Sequence, residues 1–402
     1  MAQNHVMIKE VKDLSRQISE SVISYRRFLH TNPELSFKEY ETSAFIKEKL
    51  DLWGIQWKAA AGTGVIALII GDVSSDKCIA LRADMDALPI EETSQHDYIS
   101  RNKGVMHACG HDAHTASLLG TAYILQQLKP ALAGTIKLIF QPGEEILPGG
   151  AGIMIEEGAL KDPVPSIIIG QHVAPFVPAG KVGIRKGKFM ASMDEIFITI
   201  SGKGGHAAQP HRNLDPVMMT AQMLVSLQQI VSRIADPAMP SVLSFGKLIA
   251  NGAINIIPDA VYIEGTFRTM NEEWRDEAHR QIKKIAVSIV EGLGGICKID
   301  INKGYPNLAN EEVTATSVEK YAKEYLGNEN VIEPSLWMAA EDFARYSQVI
   351  PSCFYLLGTG NEQKNTCKSL HSPGFNIDEE ALTLSAGLMA HIAIRSLHDS
   401  DS

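Results

Sequence analysis

The first half of the sequence alternates short, continuously apolar segments with longer amphipathic ones, and this alternation restricts the folds open to the chain. The apolar segments, bounded by Gly, Pro or charged residues, are TGVIALIIG, KCIALRADM, GTIKLIFQP and PSIIIGQHV. Short runs without polar alternation are typical of strands buried on both faces of a mostly parallel sheet. Residues 11–35 and 36–54 have the apolar spacing of helices that would cover such a sheet. We therefore expect an α/β domain.

The pattern changes at about Lys186. A strand, a long helix, two strands, a second helix and a closing strand follow, in the segments MDEIFITISG, NLDPVMMTAQMLVSLQQIVSRI, SVLSFGKLI, DAVYIEGTFRTM, EEWRDEAHRQIKKIAVSIVEGLG and GICKIDINKG. This β-α-β-β-α-β order is that of a compact two-layer α+β domain. Because helix and strand then alternate again, we predict a mostly parallel sheet domain formed by residues 1–186 and 304–402, with a smaller domain inserted at 187–303.

Composition and charge exclude several classes of partner. A chain of 402 residues with 45% hydrophobic residues can bury the cores of two or three domains. Its formal net charge of -10 argues against a nucleic-acid partner, because such proteins concentrate Lys and Arg. No apolar run is long enough to span a bilayer, and the N-terminus lacks the hydrophobic core of a signal peptide. The five scattered cysteines fit a reducing compartment, so we expect a cytoplasmic protein with a small-molecule substrate and no membrane partner.

The segment MHACGHDAHTA, residues 106–116, places three histidines, a cysteine and an aspartate at the start of a predicted helix. A helix N-terminus favours polar residues as caps, but it needs only one of them. Cys109 and His111 stand just before the helix, where α/β enzymes place their active sites at the carboxyl ends of strands. These two residues are therefore candidate metal ligands.

Further metal-binding side chains follow other strands. Glu144 and Glu145 come after LIFQPG, His172 comes after SIIIGQ, and His371 lies in a loop after FYLLGTG. A thiolate, imidazoles and a carboxylate suit Zn, Mn, Co or Ni better than Ca or Mg. Five such donors exceed a closed tetrahedral site, so either two ions share them or some donors do not touch a metal. The adjacent glutamates suggest that one binds metal while the other acts as general base.

Each of these residues, taken singly, has an ordinary explanation, such as a small buried thiol or a solvated turn. Their joint position at the ends of strands favours the metal site. The flanking His107 and His114 are expected to support the ligands or to be structural, because five donors already complete two open sites. His30 and His96 are expected to be surface or core histidines.

A series of motifs from residue 30 to residue 378 resembles the metal-dependent aminoacylase and carboxypeptidase superfamily. The resemblance is to its amidohydrolase branch, which includes N-acyl-amino-acid amidohydrolases, hippurate hydrolases and indole-acetyl-amino-acid hydrolases. The motifs are LHTNPELSF, LRADMDALPI, MHACGHDAHTASLLG, FQPGEE, GQHV, SGKGGHAAQPH, INIIPD, GTFRT, AAEDFA and LHSPGFNID. The resemblance implies a metallohydrolase sheet domain and an inserted lid and dimerisation domain.

The resemblance also implies ligands and catalytic groups. Two divalent ions in each subunit would bind to Cys109, His111, Glu145, His172 and His371. Glu144 would act as general base toward the attacking water. Asp86, in LRADMDALPI, matches an aspartate that lies behind the metals and orients a ligand, a task that Asp84 and Asp112 could share.

In the inserted domain, the resemblance implies residues that handle the substrate. His206, in SGKGGHAAQPH, would help to hold the scissile carbonyl as it becomes an oxyanion, reaching the site of the partner subunit in a homodimer. Asn255 and Arg268 match positions that bind the substrate's carboxylate, and a guanidinium suits this role because its fork matches two carboxylate oxygens.

The leading hypothesis is hydrolysis of the amide bond of an N-acyl amino acid, a linear amide, to a carboxylic acid and a free amino acid. Much of the superfamily has a His-X-Asp pair where this chain has Asp84-Met85-Asp86, and the cysteine ligand belongs to the amidohydrolase branch. This departure favours acyl amino acids over peptides. The alternatives are a dipeptidase or carboxypeptidase of the same superfamily and, more remotely, a non-catalytic metal or amino-acid binding protein, for which Glu144 would be superfluous. The acyl group and the metal stay open.

Overall fold

The computed structural model describes residues 2–399, with side chains from residue 6 onward, and the chain forms two compact units. The larger unit takes in the chain through Gly187, then Ala309–Ser335 and the residues from Asp342 onward. The smaller unit consists of Lys188–Leu308 and Leu336–Glu341. The sequence assigned 336–341 to the sheet domain, but this segment is tied by backbone hydrogen bonds to residues 189–191.

The helices and strands of the described residues have the following bounds. The α-helices are α1 (Ala2–Thr31), α2 (Tyr40–Leu52), α3 (His111–Gln127), α4 (Gly150–Glu156), α5 (Pro216–Leu227), α6 (Glu272–Gly292), α7 (Glu312–Leu326), α8 (Ala344–Ser347) and α9 (Glu380–His398). The strands are β1 (Gln56–Ala60), β2 (Gly64–Ile70), β3 (Val73–Asp84), β4 (Ala133–Gln141), β5 (Ile167–Pro178), β6 (Val182–Gly183), β7 (Gly187–Met190), β8 (Asp194–Ser201), β9 (Gly205–His206), β10 (Ser241–Ile249), β11 (Ile256–Ile257), β12 (Ala260–Thr269), β13 (Ile296–Lys303), β14 (Leu308–Asn310), β15 (Val331–Ile332) and β16 (Ser352–Gly360). No helix within this described part has the length and apolar character needed to cross a membrane.

The larger unit is built on an eight-stranded sheet in the order β1-β2-β4-β3-β5-β16-β6-β15. Its central strands β4, β3, β5 and β16 run parallel, whereas β1 and β2 add an antiparallel edge. Apart from the exposed, polar start of β3, the central strands are mostly apolar and buried, as the uninterrupted sequence runs predict. The predicted α/β class and the mostly parallel core of the sheet are confirmed.

Helices α1, α3 and α9 pack against one another, and α9 also packs against β3, β4 and β16. At Gly120 of α3 a Cβ would lie 2.7 Å from Cγ2 of Val22 and 2.9 Å from Cβ of Ala386. Only glycine fits there, because all three helices approach at this point. This tight packing fixes α3, whose N-terminus carries His111.

The smaller unit contains a four-stranded antiparallel sheet in the order β10-β12-β8-β13. Together with α5 and α6 its strands follow the chain order β8-α5-β10-β12-α6-β13, which is the predicted β-α-β-β-α-β arrangement. Met219 and Met223 of α5 are buried in its core, whereas Met218 of the same helix is exposed. Asp215 begins α5 by accepting hydrogen bonds from the backbone N–H groups of Val217 and Met218.

Candidate metal centre and active site

The loop before α3 and the first residue of that helix bring Cys109 and His111 against β5. Gly110, at the start of the helix, has a φ of 86°, in the left-handed region, and a Cβ there would lie 2.4 Å from Cγ2 of Val173. Glycine therefore permits the close approach. As a result, Sγ of Cys109 lies 3.4 Å from Nε2 of His172.

His172 itself lies inside β5 rather than after it, because β5 continues to Pro178. The pairing of β5 with β3 ends at Arg82↔Gly170, so His172 stands just beyond the last residue paired with that neighbour. The sequence placed the histidine correctly at the edge of the parallel core but ended the strand too early.

The predicted ligands converge in space. Three overlapping groups have their ligand atoms within 4.8 Å of one another: Cys109 with His111 and His172, Cys109 with Glu145 and His371, and His111 with Glu144 and Glu145. Cys109 belongs to the first two groups, Glu145 to the last two, and His111 to the first and the third. The structure therefore gathers in one place all five predicted donors and the predicted general base.

The hydrogen bonds of the imidazoles determine which ring nitrogen can bind a metal. His111 Nδ1 lies 3.1 Å from Oδ1 of Asp86, and His172 Nδ1 lies 2.8 Å from the carbonyl oxygen of Val173. Both partners are acceptors, so in each neutral ring Nδ1 carries the proton and Nε2 carries the lone pair. The Nε2 atoms are those that face the cluster.

Asp86 joins several parts of the site. Besides facing His111, its other oxygen Oδ2 accepts a hydrogen bond from Oγ of Ser36 at 2.6 Å and from the backbone N–H of Glu145 at 3.0 Å. The carboxylate therefore holds an imidazole and the glutamate loop in one arrangement. Although its burial acts in the opposite direction, the hydrogen bond and charge of His111 lower the pKa of Asp86.

The other two aspartates that could orient ligands behave differently. Asp84 lies 2.5 Å from Nδ1 of His114, whose Nε2 accepts the backbone N–H of Val173 at 2.9 Å. Both nitrogens of His114 are thereby used, in agreement with the expected supporting role. Asp112 pairs instead with Arg26 at 2.9 Å and with His30 at 2.7 Å, so it does not orient one of the predicted ligands.

Glu144 is 6% exposed, and one of its oxygens accepts the backbone N–H of Asp342 at 3.3 Å. The side chain of Asp342 accepts a hydrogen bond from Arg82 at 2.6 Å and from Gln141 at 2.8 Å. Sequence reasoning did not single out Arg82, Gln141 or Asp342, although all three lie in quoted motifs. Their positions became informative only when the chain brought β3, β4 and the AAEDFA segment together.

His371 is the most exposed of the predicted ligands, with 53% of its side chain accessible. Its φ is 60°, a left-handed conformation that is uncommon for a residue with a side chain, and its backbone N–H donates to the carbonyl of Ala108 at 2.8 Å. Nε2 of His371 lies 3.4 Å from Oε1 of Glu145. The loop is thus held in a strained conformation that directs this imidazole at the cluster, a feature found at binding sites.

Two buried atoms of the cluster are suited to bind a cation. Nε2 of His111 and Oε1 of Glu145 are buried without a hydrogen bond, and such orphaned polar atoms are costly unless an ion binds them. Burial, together with the charges of Glu145 and Glu144, raises the pKa of the Cys109 thiol well above its usual range. Although burial lowers it, the charges of Asp84 and Asp86 raise the pKa of His111 to about 10. Divalent ions would replace these protons, so the residues present fit a metal centre.

The residues predicted to handle substrate lie in the smaller unit. His206 is in β9, opposite Ile256 of β11, and its Nδ1 accepts the backbone N–H of Ala208 at 3.1 Å. Asn255 is exposed, and its carbonyl accepts the backbone N–H of Ala207 at 3.0 Å. The structure thus brings His206 and Asn255 near each other.

Arg268 lies apart from that pair, in β12. One of its guanidinium nitrogens donates to the carbonyl of Met338 at 3.3 Å. Burial lowers the pKa of Arg268, yet a guanidinium stays charged at neutral pH. The roles given to these three residues stay predictions.

Thiol, imidazole and carboxylate donors gathered at the carboxyl edge of a parallel sheet, with a further carboxylate beside them, define a metal-dependent hydrolase. A family model described as Peptidase family M20/M25/M40 matches residues 80–395. The chain belongs to this family, which confirms the resemblance and the class of enzyme predicted from the motifs.

Similarity to two named relatives and one solved structure extends over most of each chain and supports this membership. The N-acetyl-L-cysteine deacetylase of Bacillus subtilis is 40% identical over 385 residues, which are 96% of this chain and 90% of the relative. The N-acyl-L-amino acid amidohydrolase of Geobacillus stearothermophilus is 42% identical over 303 residues, 75% of this chain and 81% of the relative. The solved structure of Bacillus subtilis YXEP, described as a dinuclear metal binding peptidase from the M20 family, has a TM-score of 0.82 and 35% identity, with 95% of this chain and 99% of that one covered.

Proposed function

We propose that the protein hydrolyses the amide bond of N-acyl amino acids, releasing a carboxylic acid and a free amino acid. The observation that carries this proposal is the convergence of the five predicted donors beside the buried carboxylate of Glu144. Pure metal binding would not require a further carboxylate at that position. The deacetylase and amidohydrolase names of the two relatives support the same reaction.

The proposed cofactor is a pair of divalent ions. The residues that would hold them are Cys109, His111, Glu145, His172 and His371. The mixture of thiol, imidazole and carboxylate donors suits Zn, Mn, Ni or Co. When bound, the ions would polarise the scissile carbonyl and acidify a water molecule.

The proton transfers are assigned to Glu144. Its carboxylate accepts the proton of the attacking water and later delivers that proton to the leaving nitrogen. The Asp342 backbone N–H fixes the carboxylate, and burial keeps solvent from it. Asp86 keeps the Nδ1 proton on His111, so that Nε2 stays available as a ligand.

The smaller unit supplies the proposed lid and the substrate contacts. His206 steadies the carbonyl oxygen as negative charge develops on it, which is the role of an oxyanion donor. Arg268 and Asn255 bind the carboxylate of the amino-acid portion. This assignment predicts that Arg268→Ala raises KM for N-acyl amino acids and has a smaller effect on their carboxamides.

We propose that two chains pair through the smaller unit, with His206 acting in the partner's site. Strand β10 is an edge of the four-stranded sheet and carries the exposed side chains of Leu248 and Ile249. Pairing this edge with its copy gives a two-fold dimer with a continuous sheet. Co-expression of differently tagged His206→Ala and Glu144→Gln chains then produces a heterodimer with one complete site. Purified heterodimers as inactive as both parents would contradict action in trans.

The reaction is tested with a panel of N-acyl amino acids and unblocked dipeptides. The protein is first freed of metal and then loaded with Zn, Mn, Co or Ni. We expect turnover of the acylated substrates, and Glu144→Gln serves as the matched inactive control. Turnover of dipeptides that requires a free N-terminal amine would instead support the peptidase alternative. The proposed compartment is the cytoplasm, in keeping with the scattered free thiols.

A further inference from the structure

A second group of metal-binding side chains lies in the larger unit, outside the centre described above. His30 is in the last turn of α1, and Glu92 and His96 lie in the connection 85–110 between β3 and α3. One ligand atom from each of the three residues lies within 4.8 Å of the other two. The connection itself contains isolated bridges but no helix or extended strand. Connections of this length without regular structure are uncommon in compact domains and are often functional.

The distances from the two imidazoles to Glu92 match those in a tetrahedral metal site. Nε2 of His30 lies 3.3 Å from Oε1 of Glu92, and Nε2 of His96 lies 3.2 Å from the same oxygen. Bonds of about 2.0–2.1 Å from zinc place tetrahedral ligands about 3.3–3.4 Å apart. The side chains of His30 and Glu92 are 0% and 4% exposed, so this geometry is held by the interior.

The protonation of His30 also favours a metal ion at this position. Its Nδ1 lies 2.7 Å from Oδ2 of Asp112, while its Nε2 faces Glu92, so both ring nitrogens face carboxylate oxygens. A neutral imidazole has one N–H and can satisfy only one of these carboxylates. With the proton on Nδ1, a cation at Nε2 resolves the conflict, and a carboxylate behind the ligand is the usual support for a metal-bound histidine.

His96 adds an independent observation. Both of its ring nitrogens are buried and make no hydrogen bond, although Nε2 faces Glu92. An additional proton on His30 would not give His96 a partner. Arg26 is the neighbouring cation, and its charge is already paired with Asp112 and Glu379.

We propose that His30, Glu92 and His96 bind a divalent cation, zinc by preference, at a site separate from the catalytic pair. Two imidazoles and one carboxylate are a zinc-type donor set, and a water molecule completes the tetrahedron. The side chain of His96 is 16% exposed although its ring nitrogens are buried, so the group lies close to the surface. The ion fastens the connection 85–110 to the end of α1.

The test is the zinc content of the full-length protein after equilibration with zinc and removal of the free metal. We expect about three ions per chain in the unmodified protein and about two in His96→Ala and in Glu92→Gln, because each change removes a ligand of the second site. His211→Ala, which removes an exposed histidine of the smaller unit, is the matched control and keeps the full count. Equal zinc content in all four proteins would overturn the proposal.

A second measurement separates this ion from the catalytic pair. In a chain with Cys109→Ala and His172→Ala, whose catalytic centre is impaired, cobalt still binds and gives tetrahedral absorption bands without a thiolate charge-transfer band. Adding Glu92→Gln to that chain removes these bands. If the bands persist, the cobalt is bound elsewhere and the assignment of the site to His30, Glu92 and His96 is wrong. A failure of the catalytic assignment would change the behaviour of the Cys109 variant but not the loss caused by Glu92→Gln.

Discussion

Replacing Asp86 by the isosteric amide tests how the site controls the proton of His111. The carboxylate accepts from three donors: Nδ1 of His111 at Oδ1, and both Oγ of Ser36 and the backbone N–H of Glu145 at Oδ2. In Asp86→Asn, an amide oxygen that keeps the two contacts at the Oδ2 position turns its NH₂ toward His111. Two N–H groups cannot face each other, so the imidazole moves its proton to Nε2 and loses the lone pair that would bind metal.

The expected loss follows from this change of tautomer. Removing a carboxylate that supports a ligand histidine weakens metal binding about 10- to 100-fold, which is about 1.4–2.7 kcal/mol. We would measure zinc affinity by competition with a chelator, and kcat/KM at saturating zinc to separate occupancy from chemistry. Ser36→Ala removes one hydrogen bond but leaves the charge and the contact with His111, so it should change the affinity by about threefold or less. Equal affinities of Asp86→Asn and the unmodified protein would refute the tautomer argument.

Three further predictions follow from the same geometry. Glu144→Gln should lower kcat by about 10²- to 10⁴-fold, since the residue is proposed as a general base. Metal content, measured by mass spectrometry, should stay unchanged because Glu144 is not a proposed ligand. A parallel loss of metal would show that Glu144 is a ligand. In a denaturant titration, Gly110→Ala should lower the free energy of unfolding by about 2–5 kcal/mol, because φ is positive there and the added Cβ overlaps β5. Gly152→Ala is the control and should be harmless, because a Cβ at that position has no atom within 4 Å. Metal affinity should increase with pH because, below the raised pKa values of His111 and Cys109, each metal must displace their protons; a calorimetric titration that shows no proton release at neutral pH would contradict this.

The apolar runs were sufficient to predict the core of the fold. Strands β3, β4, β5 and β16 and the alternation in the smaller unit appear where continuous or alternating apolar residues predict them. Strand β1 was missed because QWKAA has neither pattern and forms an antiparallel edge. The short strands β6, β9, β11 and β15 were missed as well, because segments of two residues have no periodicity to detect.

The candidate ligands could be predicted from the sequence because metal chemistry restricts residue types and strand ends restrict their positions. The contacts that hold these ligands in place could not be predicted. Arg82 and Asp342 are distant in the chain and ordinary in type, and their ion pair at 2.6 Å depends on the assembled sheet. His30 and His96 were expected to be ordinary histidines, since only the folded connection brings them to the same oxygen of Glu92.

The two proposed metal sites share one stretch of chain, and this predicts that they are coupled. The connection 85–110 contains Asp86, which supports His111, near its start, then Glu92, and near its end Cys109. An ion at Glu92 that orders the connection therefore lowers the conformational cost of assembling the catalytic centre, and by linkage the catalytic ions strengthen binding at Glu92 to the same degree. Glu92→Gln should accordingly weaken cobalt binding at the Cys109 thiolate, followed by its charge-transfer band, by about fivefold or more, the low end of couplings between sites. His211→Ala should leave that affinity unchanged. If Glu92→Gln also leaves it unchanged while losing its own ion, the connection is ordered without the metal, and the two sites are thermodynamically independent.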